Sequence, residues 1–306
     1  MLKTPHIIPS YSMEEYNEFI ESIYRQNPYD DNQNIDTRLK IYSAAFLGMP
    51  YILGALGEGP TGVFDKSPLY RTDGFDCTTY VSTVLALTLS KNLSEFQNNI
   101  VKINYHNAQV SYIQRNHFME VDWNINNQHL GYLQDINSHF IDAAGNKIAW
   151  TVNAIIDKPA WYRMKNATAI KTFEPITVAS LSELITNLHE LAEDVLVENI
   201  QTLYIPLTSL FDKNGYANDY LFNQIPSAAV IEIVRPNWDL TTSIGTHLHI
   251  SHMGFALRDE RGLIFRDAST ITHNVRDILL VDYLQAYLDH PTIKGIHVQK
   301  ILSATP

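Results

Sequence analysis

Gly74-Phe75-Asp76-Cys77-Thr78-Thr79-Tyr80-Val81 is the stretch on which the reading of this chain turns. It holds the only cysteine among 306 residues. Behind it, Val81, Val84, Leu85, Thr88 and Leu89 recur at the spacing of a helix face. Asp73, Gly74 and Asp76 precede it, and these are helix-start residues. The pattern predicts Cys77 at or beside the first turn of a buried helix. Unpaired N–H groups and the helix dipole at that address favour thiolate over thiol. The thiolate is the nucleophilic form, so the address suits a catalytic cysteine. It also suits a small buried hydrophobe. A base elsewhere in the chain would decide between the two.

His247 to Ser269 supplies a candidate base. The stretch reads as a β-hairpin: His249 to Leu257, a turn through Arg258-Asp259-Glu260-Arg261-Gly262, and a return over Leu263 to Ala268. A turn centred between Asp259 and Glu260 places Leu257 opposite Gly262 and His252 opposite Asp267. Facing side chains in an antiparallel pair interact, so Asp267 could fix the imidazole tautomer. Ile250, His252, Gly254 and Ala256 share one strand face; Met253, Phe255 and Leu257 share the other. Small residues beyond His252 predict that the Cys77 helix packs on the His252 face. That arrangement would give a nucleophile–base pair. A core histidine bonded to Asp267 is the bland alternative. His247 and His249 point away from His252 in a regular strand, and no His-Glu-x-x-His or cysteine pair occurs, so no metal is expected.

Composition narrows the function classes. The net charge is −11 and no basic run or Arg/Lys-rich helix appears, so no nucleic-acid partner is expected. One cysteine excludes an internal disulfide. No apolar run reaches membrane-spanning length. Met1 to Ser10 lacks a basic-then-apolar leader pattern. A periplasmic or secreted protein would read the same once a signal had been removed.

Ser12-Met13-Glu14-Glu15 is a capping box that opens a helix over residues 12–26, and a second helix runs from Asp36 to Leu47 before Gly48. Gly57-Glu58-Gly59-Pro60-Thr61-Gly62 lacks the Gly-Lys-Ser/Thr of a phosphate loop; it reads equally as a cleft-shaping loop and a plain connection. Arg115, His117, Asp122 and Trp123 stand out in a polar, aromatic stretch, where a structural role for His117 is the commoner outcome. Residues 124 to 175 read as short strands and loops. Ser180-Leu181-Ser182-Glu183 opens a helix to about Val197. Thr202–Leu207, Ala228–Val234 and Gly295–Leu302 read as strands, and Val281–Leu288 as a helix. With no repeat and no linker, one α+β domain over residues 1–306 is the simplest account. It has an N-terminal helical part (1–48) and a middle insertion (124–200) covering the cleft.

Pro50-Tyr51, Phe75-Asp76-Cys77-Thr78-Thr79, Ser251-His252-Met253-Gly254-Phe255 and Asp267-Ala268-Ser269, in that order, resemble the NlpC-type cell-wall cysteine hydrolases. More narrowly they resemble the amidase branch first catalogued as a domain of unknown function. The resemblance covers most of the chain. It implies a papain-like core, with the nucleophile helix packed on an antiparallel sheet. It also implies hydrolysis of the bond between N-acetylmuramic acid and L-alanine in cell-wall peptide or its turnover fragments, with muropeptides as partners and no cofactor. Cys77 would be the nucleophile, His252 the base and Asp267 the third member. Many relatives carry histidine at that third position. Tyr51, Asp76, Thr78 and Ser251 would line the substrate site. Competing readings are a D-glutamyl endopeptidase on stem peptides and a non-catalytic peptidoglycan-binding module. A transglutaminase-like acyl transferase is disfavoured, because Leu263 to Ala268 lacks that family's third-strand motif.

Overall fold

The structure, a computed structural model, describes residues 4–302. Met1–Lys3, part of the stretch read for a leader, lie outside the described residues. The first four helices are α1 (Met13–Gln26), α2 (Ile35–Ala44), α3 (Cys77–Thr88) and α4 (Leu93–Asn104). Ser12 caps α1 by accepting the Glu15 N–H, as the sequence predicts. Helix α3 is apolar on nearly every side and is therefore enclosed on every side: residues from Thr79 to Thr88 are all buried. Two of its buried hydroxyls are bonded, one within the helix and one from outside it. Thr88 Oγ1 donates to the Val84 carbonyl at 2.7 Å, and Ser82 Oγ accepts from Trp123 Nε1 at 3.1 Å.

The strands are β1 (His6–Ile7), β2 (Leu133–Asp135), β3 (Trp150–Asp157), β4 (Lys171–Thr172) and β5 (Val197–Pro206). They continue as β6 (Ala229–Leu240), β7 (Thr246–Asp259), β8 (Gly262–Ser269), β9 (Asn274–Leu279) and β10 (Gly295–Ile301). The main sheet is antiparallel, in the order β3-β5-β10-β6-β7-β8-β9, with β2 also paired to β10. The fold is thus α+β.

Both sheet faces are covered. Met253, Phe255 and Leu257 share a core with Tyr80, Val81, Val84 and Leu85 of α3 and with residues of α1, α2 and α4. This corrects one expectation. Helix α3 packs on the Met253 face, not on the face of small residues, because large apolar side chains on both partners remove more surface from water. The opposite face, with Ile231, Ile233, Ala256 and Phe265, packs against three short helices, Leu207–Leu210, Asp219–Phe222 and Leu280–Gln285.

The hairpin register also differs from expectation. Asp259 faces Gly262 and Ala256 faces Phe265, so the turn is the two residues Glu260 and Arg261. Asp259 Oδ1 accepts the Arg261 N–H at 2.8 Å, an Asx-type closure that moves the turn forward by one residue and the pairing by two. A shift of two keeps every side chain on its face.

Residues 124–175 hold more regular structure than the sequence predicts. They contain the helices Asn124–His129 and Lys158–Arg163 and the eight-residue strand β3, which pairs with β5. The next helix is Val178–Leu191; Thr177 rather than Ser180 caps it, and Val197 already belongs to β5. Among the described residues no helix is long and apolar enough to cross a membrane.

Candidate active site

Asp76 and Thr79 build the end of α3 that carries the cysteine. Asp76 Oδ1 accepts the Thr79 N–H at 2.8 Å and its hydroxyl at 2.7 Å, while the Asp76 N–H donates to Thr79 Oγ1 at 3.0 Å. This reciprocal cap fixes Cys77 as the first helical residue. The other oxygen, Oδ2, accepts the N–H groups of Gly54 and Ala55 at 3.1 and 3.3 Å. Asp76 therefore ties the loop after Tyr51 to the head of α3, with both oxygens engaged inside the protein. Residues 50–52 are held there a second time: the Ile52 N–H donates to the Phe75 carbonyl, and the Phe75 N–H to that of Pro50. Cys77 is partly exposed, with Sγ 4.0 Å from Thr78 Oγ1.

His252 reaches this sulfur from β7. The ladder between β7 and β8 ends at the Phe255–Arg266 pair, and His252 lies beyond it. Between His252 and Ile250, β7 carries one extra residue, Ser251, opposite the Ile233–Val234 step of β6. Such a bulge bends a strand and re-aims its side chains. His252 Nε2 lies 2.8 Å from Asp267 Oδ2, although the two residues are diagonal neighbours rather than directly paired. The ring packs against Phe265 and Tyr283, with centroids 5.9 and 6.2 Å away. With Nε2 committed to Asp267, Nδ1 is the nitrogen left for Cys77. Burial alone would lower the His252 pKa, but hydrogen bonds from the ring to Asp267 and Cys77 overcome it and raise the value to about 10.

Asp267 is 1% exposed, and Oδ1 meets Arg276 Nε at 3.2 Å. Arg276 is its cross-strand partner on β9. Sequence reasoning missed this arginine; the Asn274-Val275-Arg276-Asp277-Ile278 run, with two adjacent charged residues, lacks the strict alternation that would have marked it as a strand. Glu120 was missed too. It is buried beside the cleft and accepts the N–H groups of His249 and of Ile250, the latter at 2.5 Å, which pins β7 just before the bulge. It lies about 130 residues from its partners in sequence, and no local pattern announces it.

Two cavities open on either side of the sulfur. One, about 170 Å³, is lined by Cys77, Thr78, His117, Glu120, Ser251 and His252. The other, about 300 Å³, is lined by Tyr51, Cys77, Ser251, His252, Arg276 and Trp238 among others. All seven residues singled out from the sequence thus lie at or against the head of α3. Burial, then the charges of Cys77 and Asp76, push the Tyr51 hydroxyl well above the usual phenol range, so it stays protonated. His117 donates Nε2–H to the Tyr112 carbonyl at 2.7 Å, and burial, reinforced by the Arg115 charge, keeps it neutral. His247 sits 3.8 Å from Asp239, and His249 Nδ1 accepts the Asn237 N–H at 3.1 Å, so neither joins His252. Among the described residues no group of three or more His, Cys, Asp or Glu is disposed to hold a metal ion.

The profile of the AmiA-like family, described as N-acetylmuramoyl-L-alanine amidase-like, matches residues 41–292. The chain belongs to that family. A crystal structure from Legionella pneumophila strain Philadelphia 1, of family DUF1460, is 41% identical, covers 96% of each chain and superposes with a TM-score of 0.91. An N-acetylmuramoyl-L-alanine amidase from Bacteroides uniformis is 20% identical, covering 87% of this chain and 98% of its own, at a TM-score of 0.58. A Bacteroides fragilis protein with a provisional xylanase name is 19% identical, covering 85% and 99%, also at 0.58. At such identities the last two show the fold alone. None of the curated proteins matches the chain.

Proposed function

We propose that this amidase-family chain is a cysteine hydrolase of the NlpC type that cleaves the amide between N-acetylmuramic acid and L-alanine in cell-wall peptide or its fragments. The observation that carries the proposal is the line of contacts from Cys77 through His252 to Asp267 at the capped head of α3. Family membership supports the bond class.

In this reading the Cys77 proton rests on His252 Nδ1, as a thiolate–imidazolium pair, and the sulfur bonds to the amide carbonyl carbon. The oxyanion accepts hydrogen bonds from the Cys77 N–H, which heads α3 with no helical partner, and from the Tyr51 hydroxyl. Collapse breaks the C–N bond as His252 returns the proton to the leaving amine. Water then adds to the thioester with His252 as base, which releases the muramic acid carboxylate and restores the thiol. Asp267 holds the ring in the tautomer these steps need. Every group required comes from this chain.

Incubation with N-acetylmuramoyl peptides tests the assignment. The expected products are N-acetylmuramic acid and a peptide with a free L-alanine amine, identified by mass, and none forms with Cys77→Ala. Cleavage beyond D-glutamate would instead identify an endopeptidase. A Cys77→Ala protein as fast as the parent would end the cysteine mechanism.

A further inference from the structure

A second groove, of about 330 Å³, opens beside the cleft and is lined by Gly54, Arg115, His117, Trp161, Lys165 and Lys171 among others. It adjoins the site at two points. His117 lines both this groove and the Cys77 cavity, and Asp76 binds the Gly54 and Ala55 N–H groups from the head of α3.

Its charge runs against that of the whole molecule. The net charge is −11, yet the lining carries three basic side chains, Arg115, Lys165 and Lys171, against one carboxylate, Asp65. Asp65 is already shared: Oδ2 lies 3.2 Å from Arg115 Nη1 and 3.1 Å from Lys171 Nζ. Arg115 is 8% exposed, and its Nε and Nη2 have no hydrogen-bond partner among the described residues. Lys165 makes no ion pair among the described residues. Its Nζ sits 3.2 Å from the centroid of the Trp161 ring. Burial, then the nearby Arg115 charge, lower its pKa to about 7. Basic groups that outnumber their carboxylates in a partly buried groove shed a proton, as Lys165 is placed to do, or are completed by an anion, which would hold the Lys165 proton on.

We propose that this groove binds a carboxylate on the peptide half of the substrate, with Lys165 as its principal contact and determinant of specificity. The inference rests on the hydrolase reading for the identity of the substrate. Of the two halves that the proposed cleavage separates, the acyl-side sugar is uncharged and the peptide carries the carboxylates. The cations therefore match the leaving-amine side. Trp161 holds the ammonium in place by its ring face, so the charge is presented without a neighbouring carboxylate to neutralise it.

Equilibrium binding to the Cys77→Ala protein tests this without turnover. The probes are N-acetylmuramoyl-L-alanyl-D-glutamic acid and the same compound with both carboxylates amidated. The acid should bind about tenfold more tightly, the worth of one charge-assisted hydrogen bond. Adding Lys165→Met should bring the two within twofold by weakening the acid and leaving the diamide unchanged. Equal affinities in the Cys77→Ala protein, or a preference that survives Lys165→Met, would overturn the proposal. If Lys165→Met binds neither probe, Lys165→Arg decides: a retained preference supports the assignment and a lost one overturns it. The hydrolase reading fails separately, by absence of cleavage with the unmodified protein, whatever these affinities are.

Discussion

Asp267 accepts from His252 on one oxygen and from Arg276 on the other, at 2.8 and 3.2 Å, and does so almost wholly out of contact with water. A carboxylate so placed holds the imidazole by geometry and favours its cationic form by charge. Asp267→Asn keeps the shape and removes the charge. Burial then dominates at His252, and its pKa falls from about 10. An imidazole that is no longer cationic cannot favour a thiolate beside it, so under the proposed mechanism alkylation of Cys77 by iodoacetamide at pH 7 should slow by about an order of magnitude or more. Turnover of an N-acetylmuramoyl peptide should drop by up to about 10⁴-fold in kcat. Unchanged alkylation would show that Asp267 does not act through the imidazole.

Arg276→Met removes the second contact of Asp267 and leaves the first. The carboxylate gains freedom to rotate, and the ring loses orientation rather than charge. The expected result is a loss of about tenfold in kcat with KM unchanged, since the arginine acts through Asp267. A rise in KM at constant kcat would place Arg276 on the substrate instead. It lines the larger cavity, so steady-state kinetics distinguish the two roles.

The legible parts of the site were those encoded within a few residues of themselves. Asp73, Gly74 and Asp76 announce a helix start within four letters just before Cys77, and the structure builds the cap from Asp76 and Thr79. The hairpin was visible in its alternation, but its register was not. The Asp259 side chain closes the turn one residue later than symmetry predicts, and periodicity carries no information about that. His252 and Asp267 still meet because the error is even. The face on which α3 packs depends on the partner's apolar area, which lies more than 160 residues away along the chain. Helix α4 went unread although Asn92 accepts the Glu95 N–H in an ordinary N-cap. The Gly57–Gly62 turn, open to two readings, has a structural part: Gly57 packs so closely that a Cβ would come within 2.2 Å of the Ser67 carbonyl oxygen, while Gly54 before it lines the second groove.

Asp76→Ala should separate folding from positioning. The substitution removes the α3 cap and releases the Gly54 and Ala55 N–H groups together. Loss of the cap alone costs about 1 kcal/mol, and up to about 2 in unfavourable settings. The freed loop adds to this and loosens the support of Tyr51, which the backbone bonds of Pro50 and Ile52 to Phe75 still help to hold. A lowered Tm, with a kcat loss larger than the remaining folded fraction explains, is the expected pair of results in thermal melts and activity assays. Full specific activity in the folded fraction would show that Tyr51 keeps its place without the Asp76 tether.

Glu232 gives the fold a pH dependence that can be read apart from activity. It is fully buried on β6, paired across β7 with Met253, the neighbour of His252. Asn124 Nδ2 donates to Oε2 at 2.9 Å, His297 Nε2 is 4.0 Å away, and Oε1 has no partner among the described residues. Burial outweighs these helpers and raises the carboxyl pKa from 4.5 to about 7. The folded state therefore binds the proton more tightly than the unfolded chain. This contribution to stability is complete below about pH 4.5 and is lost as pH rises through 7, on the order of 3 kcal/mol in all. Glu232→Gln keeps an acceptor for Asn124 and cannot ionise. Denaturant unfolding at pH 5 and pH 8 should show the parent losing stability relative to the variant by most of that amount, with the variant the more stable at pH 8. Parallel losses in the two proteins would mean that Glu232 does not change its ionisation between pH 5 and pH 8 in the folded state.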